Sequence, residues 1–328
     1  MQLRFAPILL VAVAGCGGAG SAGSPSTGSL AFVVNRAGFN EIWTMRATGA
    51  NRRRLTERAP RGTDASGNSQ PAWSPSGKEI AYVGSGTSTV EDEHALEIYV
   101  MGSDGRNKRR LTFNDVPDWA PSWSPDGNEI VFSRAFRWGR GPHPAVAVYA
   151  MRANGTEQWK LARESPNRGA IFLTNPAWSP DGKTIAYQRS VLTEQGGESA
   201  IYVMDPDGGN RRRIAGDAAD PSWSPDGSRI AFVTERDRNG RCLFHDCAGY
   251  APEIYVMRAD GSHARRVTRS PQTDVNPTWS SDGLRIAFAR IADESSDYEI
   301  FSIRPDGSDL RQLTENMVWD YQPTWQPR

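Results

Sequence analysis

Pro121-Ser122-Trp123-Ser124-Pro125-Asp126-Gly127-Asn128-Glu129-Ile130-Val131-Phe132 is the stretch whose reading decides the fold, because the chain repeats it. Proline, any residue, tryptophan recurs six times, at Trp73, Trp123, Trp178, Trp223, Trp279 and Trp325. In five copies a Ser follows the Trp, a Gly comes four residues after it, and an apolar run ends in Phe or Tyr five residues later. Self-similarity at a period of about 50 residues marks one supersecondary unit copied along or around an axis.

Outward from this stretch the unit continues with Glu-Ile-Tyr-Val-Met, then Asp-Gly, then Arg-Arg-Leu-Thr. Two further spacings are fixed in all six copies. The third segment is four residues from its own Gly (Met45 to Gly49 through Ile303 to Gly307), and that Gly is six residues from the next aliphatic (Leu55 through Leu313). Two other spacings vary. The second-segment aromatic to the Met covers 13 to 25 residues, and the aliphatic to the next Trp covers 9 to 18. Pieces rich in Ile, Val, Tyr, Phe and Thr read as strands. The fixed joints carry Pro-Asp-Gly or Asp-Gly, where Pro presets φ and Gly accepts positive φ. Four antiparallel strands per unit then put both variable connections on one face, and a face that accepts insertions is where binding usually resides.

The first unit begins at Leu30-Ala31-Phe32 without a Trp strand, and the chain ends three residues after Trp325. One orphan strand at the tail matches three at the head. The expectation is an all-β, six-bladed β-propeller of four-stranded antiparallel blades over residues 29–328, closed by pairing of the C-terminal strand with the N-terminal strands. The repeat Trp residues read as packing between blades. The Asp-Gly pairs read as turn residues, since Asp205-Pro206-Asp207-Gly208 lacks the further acids of a calcium loop.

These motifs resemble the WD-like β-propeller repeats of the TolB type, which also occur in prolyl-oligopeptidase-like and tricorn-type proteases. The resemblance covers about residues 29 to 328. It implies a propeller whose mouth takes extended peptide segments of partner proteins. The α/β domain that precedes the propeller in TolB has no counterpart in the residues read here, which puts a full role in the Tol-Pal system in question.

The N-terminal residues read as a processing segment. Arg4 is followed by an apolar run, Phe5 to Ala14, too short to span a bilayer. Val13-Ala14-Gly15-Cys16 resembles a bacterial lipoprotein cleavage box, which implies a signal peptide over 1–16 and lipidation of Cys16. Residues 17–28 are Gly/Ser-rich and read as a flexible tether. The expected location is the cell envelope: the periplasmic face of the outer membrane in a Gram-negative cell, otherwise the outer face of the cytoplasmic membrane. Cys242 and Cys247 then read as a local disulfide, with a metal site shared with His245 and Asp246 as the alternative.

With 38 basic and 38 acidic residues the chain lacks the basic excess of a nucleic-acid binder. The Arg runs enter the outermost strand, where charge blocks edge-to-edge pairing; a circumferential belt for anionic groups is the other reading. No G-x-S-x-G, H-E-x-x-H or Walker-type loop is present. The chain therefore reads as a non-enzymatic module with no cofactor, monomeric, and binding an envelope protein or peptide. A channel hydrolase or lyase and a carbohydrate binder are the alternatives. The partner-binding residues expected at the channel mouth are Asp118, Trp119, Asp220, Asp274, Asn276, Trp319, Asp320 and Tyr321, which lie at or near the position before the repeat Pro. A basic segment would meet the acids and the aromatics would anchor it. These Asx side chains read alternatively as caps of their own loops.

Overall fold

The structure is a computed structural model that describes residues 28–57, 67–85, 96–136, 145–164, 169–194, 196–237, 251–291 and 297–327. Cys16, Cys242 and Cys247 lie outside the described residues, as do residues 1–27.

The described residues form an all-β propeller, but the expected six four-stranded blades are not what the strands build. Four sheets are separate and four-stranded. They are Asn68–Trp73 through Arg109–Arg110, Ala219–Trp223 through Arg265–Arg266, Asp274–Trp279 through Arg311–Gln312, and a closing sheet. The remaining eight strands, from Asp118–Trp123 to Arg212–Gly216, form one continuous sheet. Its seam is a parallel pairing of Ala145 with Ile171 and Val146 with Phe172. The physical reason lies in the length of the inner strand. At this seam it starts early, at Ala170, and runs nine residues to Trp178, which brings Ile171 and Phe172 beside Ala145 and Val146. Ala147 and Leu173, next to the pairing, are fully buried, where two other seams carry an acid pair, Glu97 with Asp118 and Glu253 with Asp274. Apolar residues at these positions do not fuse sheets by themselves, since Ala200 and Ala218 hold the same places at a seam whose sheets stay separate.

In the closing sheet the last strand, Trp319–Trp325, pairs antiparallel with the first, Ser29–Arg36, which continues to Phe39–Arg46 and Arg53–Arg54. Leu30 faces Trp325 and Asn35 faces Trp319. The innermost strand of each repeat packs against that of the next around the full circle. The outer strands Arg53–Arg54, Arg109–Arg110, Arg265–Arg266 and Arg311–Gln312 are only two residues long, leaving little free edge.

The fixed spacings now have causes. Ser124 Oγ donates to Asp126 (2.5 Å) and accepts from Glu129 N (2.9 Å), and Asp126 accepts Asn128 N (3.1 Å), so Trp-Ser-Pro-Asp-Gly is a self-contained turn. The repeat Trp residues sit between neighbouring units. Trp73 packs with Ala31, Ile42 and Leu55 of the preceding unit, and Trp123 Nε1 donates to Ala72 O (3.2 Å). The Gly of the second turn lies against the preceding unit's aliphatic carbonyl. At Gly208, φ is +85° and a Cβ would stand 2.2 Å from Leu161 O.

Gly208→Ala should therefore cost both a left-handed backbone, roughly 1–2 kcal/mol, and an overpacking penalty of about 1–3 kcal/mol. Gly38→Ala has similar φ (+84°) but open space around its Cβ, and should cost only the first. Urea denaturation of both variants separates the two; equal losses would show that the contact with Leu161 is not tight.

Candidate functional site

Every inner strand carries the same irregularity just before its Pro. Gln70, Ala120, Asn175, Asp220, Asn276 and Gln322 all adopt positive φ, between 50° and 53°. Each lies at a register shift against its neighbouring strand. Asn and Asp tolerate this left-handed geometry best, and a following Pro disfavours the ordinary helical alternative. The bulge turns the pre-proline residue toward the propeller axis. Together with the Pro rings these six residues line a central cavity of about 210 Å³.

The lining is largely amide. Gln322 Oε1 accepts Gln70 N (2.9 Å), and Gln70 Oε1 accepts Ala120 N (2.7 Å). On the opposite arc Asp220 accepts from Asn175 Nδ2 (2.6 Å) and Asn276 Nδ2 (3.3 Å). Asp220 is the one titratable group lining this cavity among the described residues, and no cation partners it there. Burial pushes its carboxyl above the usual carboxylate range, against the lowering by the two Asn amides.

Of the residues expected at the mouth, Asp220 and Asn276 reach this cavity; the three other acids do not. Asp118 is fully buried and takes a bidentate grip from Arg134, Nε at 2.7 Å and Nη2 at 2.6 Å. Asp274 is held the same way by Arg290, at 2.5 and 2.7 Å. Each belongs to a polar junction between neighbouring units. In one, Glu97 accepts Arg110 Nη2 (2.6 Å), the Thr112 hydroxyl and Asn114 N (3.1 Å), while Asn114 Nδ2 donates to Asp118 (2.8 Å). Glu253, Arg266, Thr268 and Ser270 repeat the pattern beside Asp274. The cause is strand alternation: Asp three residues before Pro lies across the bulge from the axial residue and points into the seam, not the channel. The Arg runs are partly explained as well, since their second members pair with these Glu residues.

Asp320 is the exception among the acids. The junction it shares with Glu299 has Gln312 where Arg110 and Arg266 stand, and Val34 where Arg134 and Arg290 stand. Asn316 Nδ2 donates to one Asp320 oxygen (2.7 Å), and Asp320 Oδ1 and Glu299 Oε2 find no partner. Burial, with the nearby Glu299 charge, pushes the Asp320 carboxyl up to about 7, and Glu299 is raised too. Among the aromatics, Trp119 is half-buried against the hydrophobic cluster of the preceding unit, and the Tyr321 hydroxyl donates to Asn40 Oδ1 (2.8 Å). Trp319 is 39% exposed and stacks edge-on against Tyr298.

The pH dependence of Asp320 has a definite sign. A carboxyl raised to about 7 in the folded chain, from about 3.9 unfolded, stabilises fully below the unfolded value. That stability is lost as pH rises through the folded value. The thermal midpoint should therefore fall between about pH 4 and pH 8, and Asp320→Asn should flatten the fall by an amount on the order of 3 kcal/mol. A variant with the wild-type slope would disprove the assignment.

Comparison with known proteins agrees with this architecture. A family model described as the TolB beta propeller domain matches residues 63–190 and 163–328. The Tol-Pal system protein TolB of Anaeromyxobacter dehalogenans is 30% identical over 150 residues, covering 41% of this chain and 30% of the relative. The uncharacterized peptidase YuxL of Bacillus subtilis is 31% identical over 132 residues, covering 39% and 18%. The chain thus spans less than a third of the length of these curated relatives. Among solved structures, TolB from Acinetobacter baumannii superposes with a TM-score of 0.67 at 20% identity, covering 93% of this chain and 68% of that one. At that identity the likeness speaks for the fold alone.

Proposed function

Because the chain belongs to the TolB beta propeller domain family, we propose that it is a cell-envelope binding module that receives a protein or peptide segment at the channel mouth. The observation that supports this best is the lining of the axial cavity. Its Gln and Asn amides match the donors and acceptors of an extended peptide, and one half-buried carboxylate, Asp220, stands without a cation among the described residues. A basic side chain of the partner placed against Asp220 supplies the missing charge and fixes the register. Trp319 and the half-buried Trp119 add aromatic surface to the rim. Export, the Cys16 anchor and a monomeric state belong to the same reading. They rest on the N-terminal sequence and on relatives whose names place them in the Tol-Pal system.

Two measurements test it. Cross-linking of the full chain in envelope preparations, with mass-spectrometric identification, should recover a partner that Asp220→Asn loses at least about tenfold, the scale of one ion-pair contact. Asp226→Asn, in an outer turn, should leave recovery unchanged. Equal recovery by all three proteins would rule the axial cavity out. Incorporation of labelled palmitate should disappear in Cys16→Ser, and persistent labelling would reassign the anchor.

A further inference from the structure

On the face of the tight turns, opposite the variable connections, three guanidinium groups surround a pocket of about 380 Å³. They are Arg229, Arg258 and Arg265, joined there by His263 and Ser228. All three arginines are exposed, and none makes an ion pair among the described residues. Arg229 and Arg258 face each other directly across neighbouring strands, an arrangement that destabilises a sheet unless something neutralises it.

The next unit shows what does so. Counting from the turn glycines, Arg229, Arg258 and Arg265 correspond to Arg285, Arg304 and Arg311, and His263 corresponds to Asp309. In that unit the Asp309 carboxylate gathers all three guanidiniums, Arg285 Nη1 at 2.7 Å, Arg311 Nη2 at 2.8 Å and Arg304 Nε at 3.6 Å. Arg311 and Arg285 hold its carboxyl down at about 2. Arg285, so engaged, is buried to 7% exposure, whereas Arg229 at the same position is exposed. His263 and Asp309 share the left-handed backbone (φ 56° and 54°), so both units have the same turn and differ in the side chain it presents. Three carboxylates feel these arginines, Asp226 from Arg229, Asp260 from Arg258 and Asp306 from Arg265, and each is bonded within its own turn, Asp306 accepting Ser308 N (2.9 Å) and Ser308 Oγ (2.6 Å). Asp260 accepts Ser262 N (2.8 Å), and Asp226 accepts Ser224 Oγ (2.5 Å) and Ser228 N (3.0 Å). Arg229 also lies over the Trp279 ring, 5.9 Å from its centroid, which keeps the group beside the pocket.

We infer that this three-arginine pocket binds a carboxylate supplied from outside the chain, an acidic side chain or C-terminus of a ligand, in the place that Asp309 fills internally in the next unit. Guanidinium groups suit this because they grip a carboxylate through paired N–H donors. The site is separate from the axial cavity and does not depend on it.

The test uses the full chain with glutarate as probe, inorganic phosphate as a second anion, and sodium chloride to hold ionic strength constant. Glutarate should raise the thermal midpoint of the wild type along a saturating curve. His263→Asp, which completes the cluster from within on a backbone that Asp tolerates, should start with a higher midpoint and lose the glutarate response. Arg258→Gln should lose the response with the fold intact by circular dichroism. An absent or non-saturating wild-type response up to tens of millimolar, or an undiminished response in His263→Asp, would overturn the site. Saturation by phosphate and not by glutarate would overturn the carboxylate assignment.

Discussion

The antiparallel pairing of Trp319–Trp325 with Ser29–Arg36 is the constraint on which the rest depends. Each sheet is four strands deep or joined to its neighbour, and its inner strand is held laterally by the inner strands on either side. Without the pairing of tail and head, two inner strands would lose a flank, and the pre-proline residues would no longer surround an axis. The central cavity is a property of closure: six residues far apart in sequence meet only because the circle is complete.

The seams between units are built from one pattern with local substitutions, and the substitutions set the chemistry. Two seams combine a Glu, an Asp and two arginines into satisfied buried networks. A third replaces both acids by Ala147 and Leu173 and fuses its sheets through a parallel pairing. The closing seam keeps Glu299 and Asp320 but lacks both arginines, so its carboxyls are raised by burial. Burial raises a carboxyl at each of the other two acidic seams as well, Glu97 at one and Asp274, to about 6, at the other. Substitution within the turns acts likewise at the surface, where Asp309 closes a cluster of arginines that His263 leaves open.

Much of the fold was legible because turns and strand edges impose local rules. Gly at positive φ, Asp-Gly in the tight turns, and Trp after Pro all recur at fixed spacing with a role readable from residue type, whereas the part of Ser in closing the turn of Trp-Ser-Pro-Asp-Gly shows only in its hydrogen bonds. Division into six separate blades was not legible, since it turned on how early one inner strand begins, at Ala170, and so on its pairing with Ala145 and Val146. The candidate site was legible only in part. Asp220 and Asn276 were placed at the axis, but Asp118, Asp274 and Asp320 were read into the same mouth although they point into the seams. The neutral members of the lining, Gln70, Ala120 and Gln322, carry no charge to mark them in the sequence. The signal that would have found them is position: each directly precedes a repeat Pro.

Sequence by itself determined what depends on residues close in the chain, namely strand order, turn type, the copying of one unit and the face that bears the variable connections. Tertiary structure decided which way each inner-strand side chain points, because a one-residue bulge reverses the alternation of faces and leaves no trace in composition. It decided also which charges are partnered, because Asp118 and Asp274 meet Arg134 and Arg290 through the register of neighbouring strands, and Asp309 meets Arg285 across 24 residues of chain.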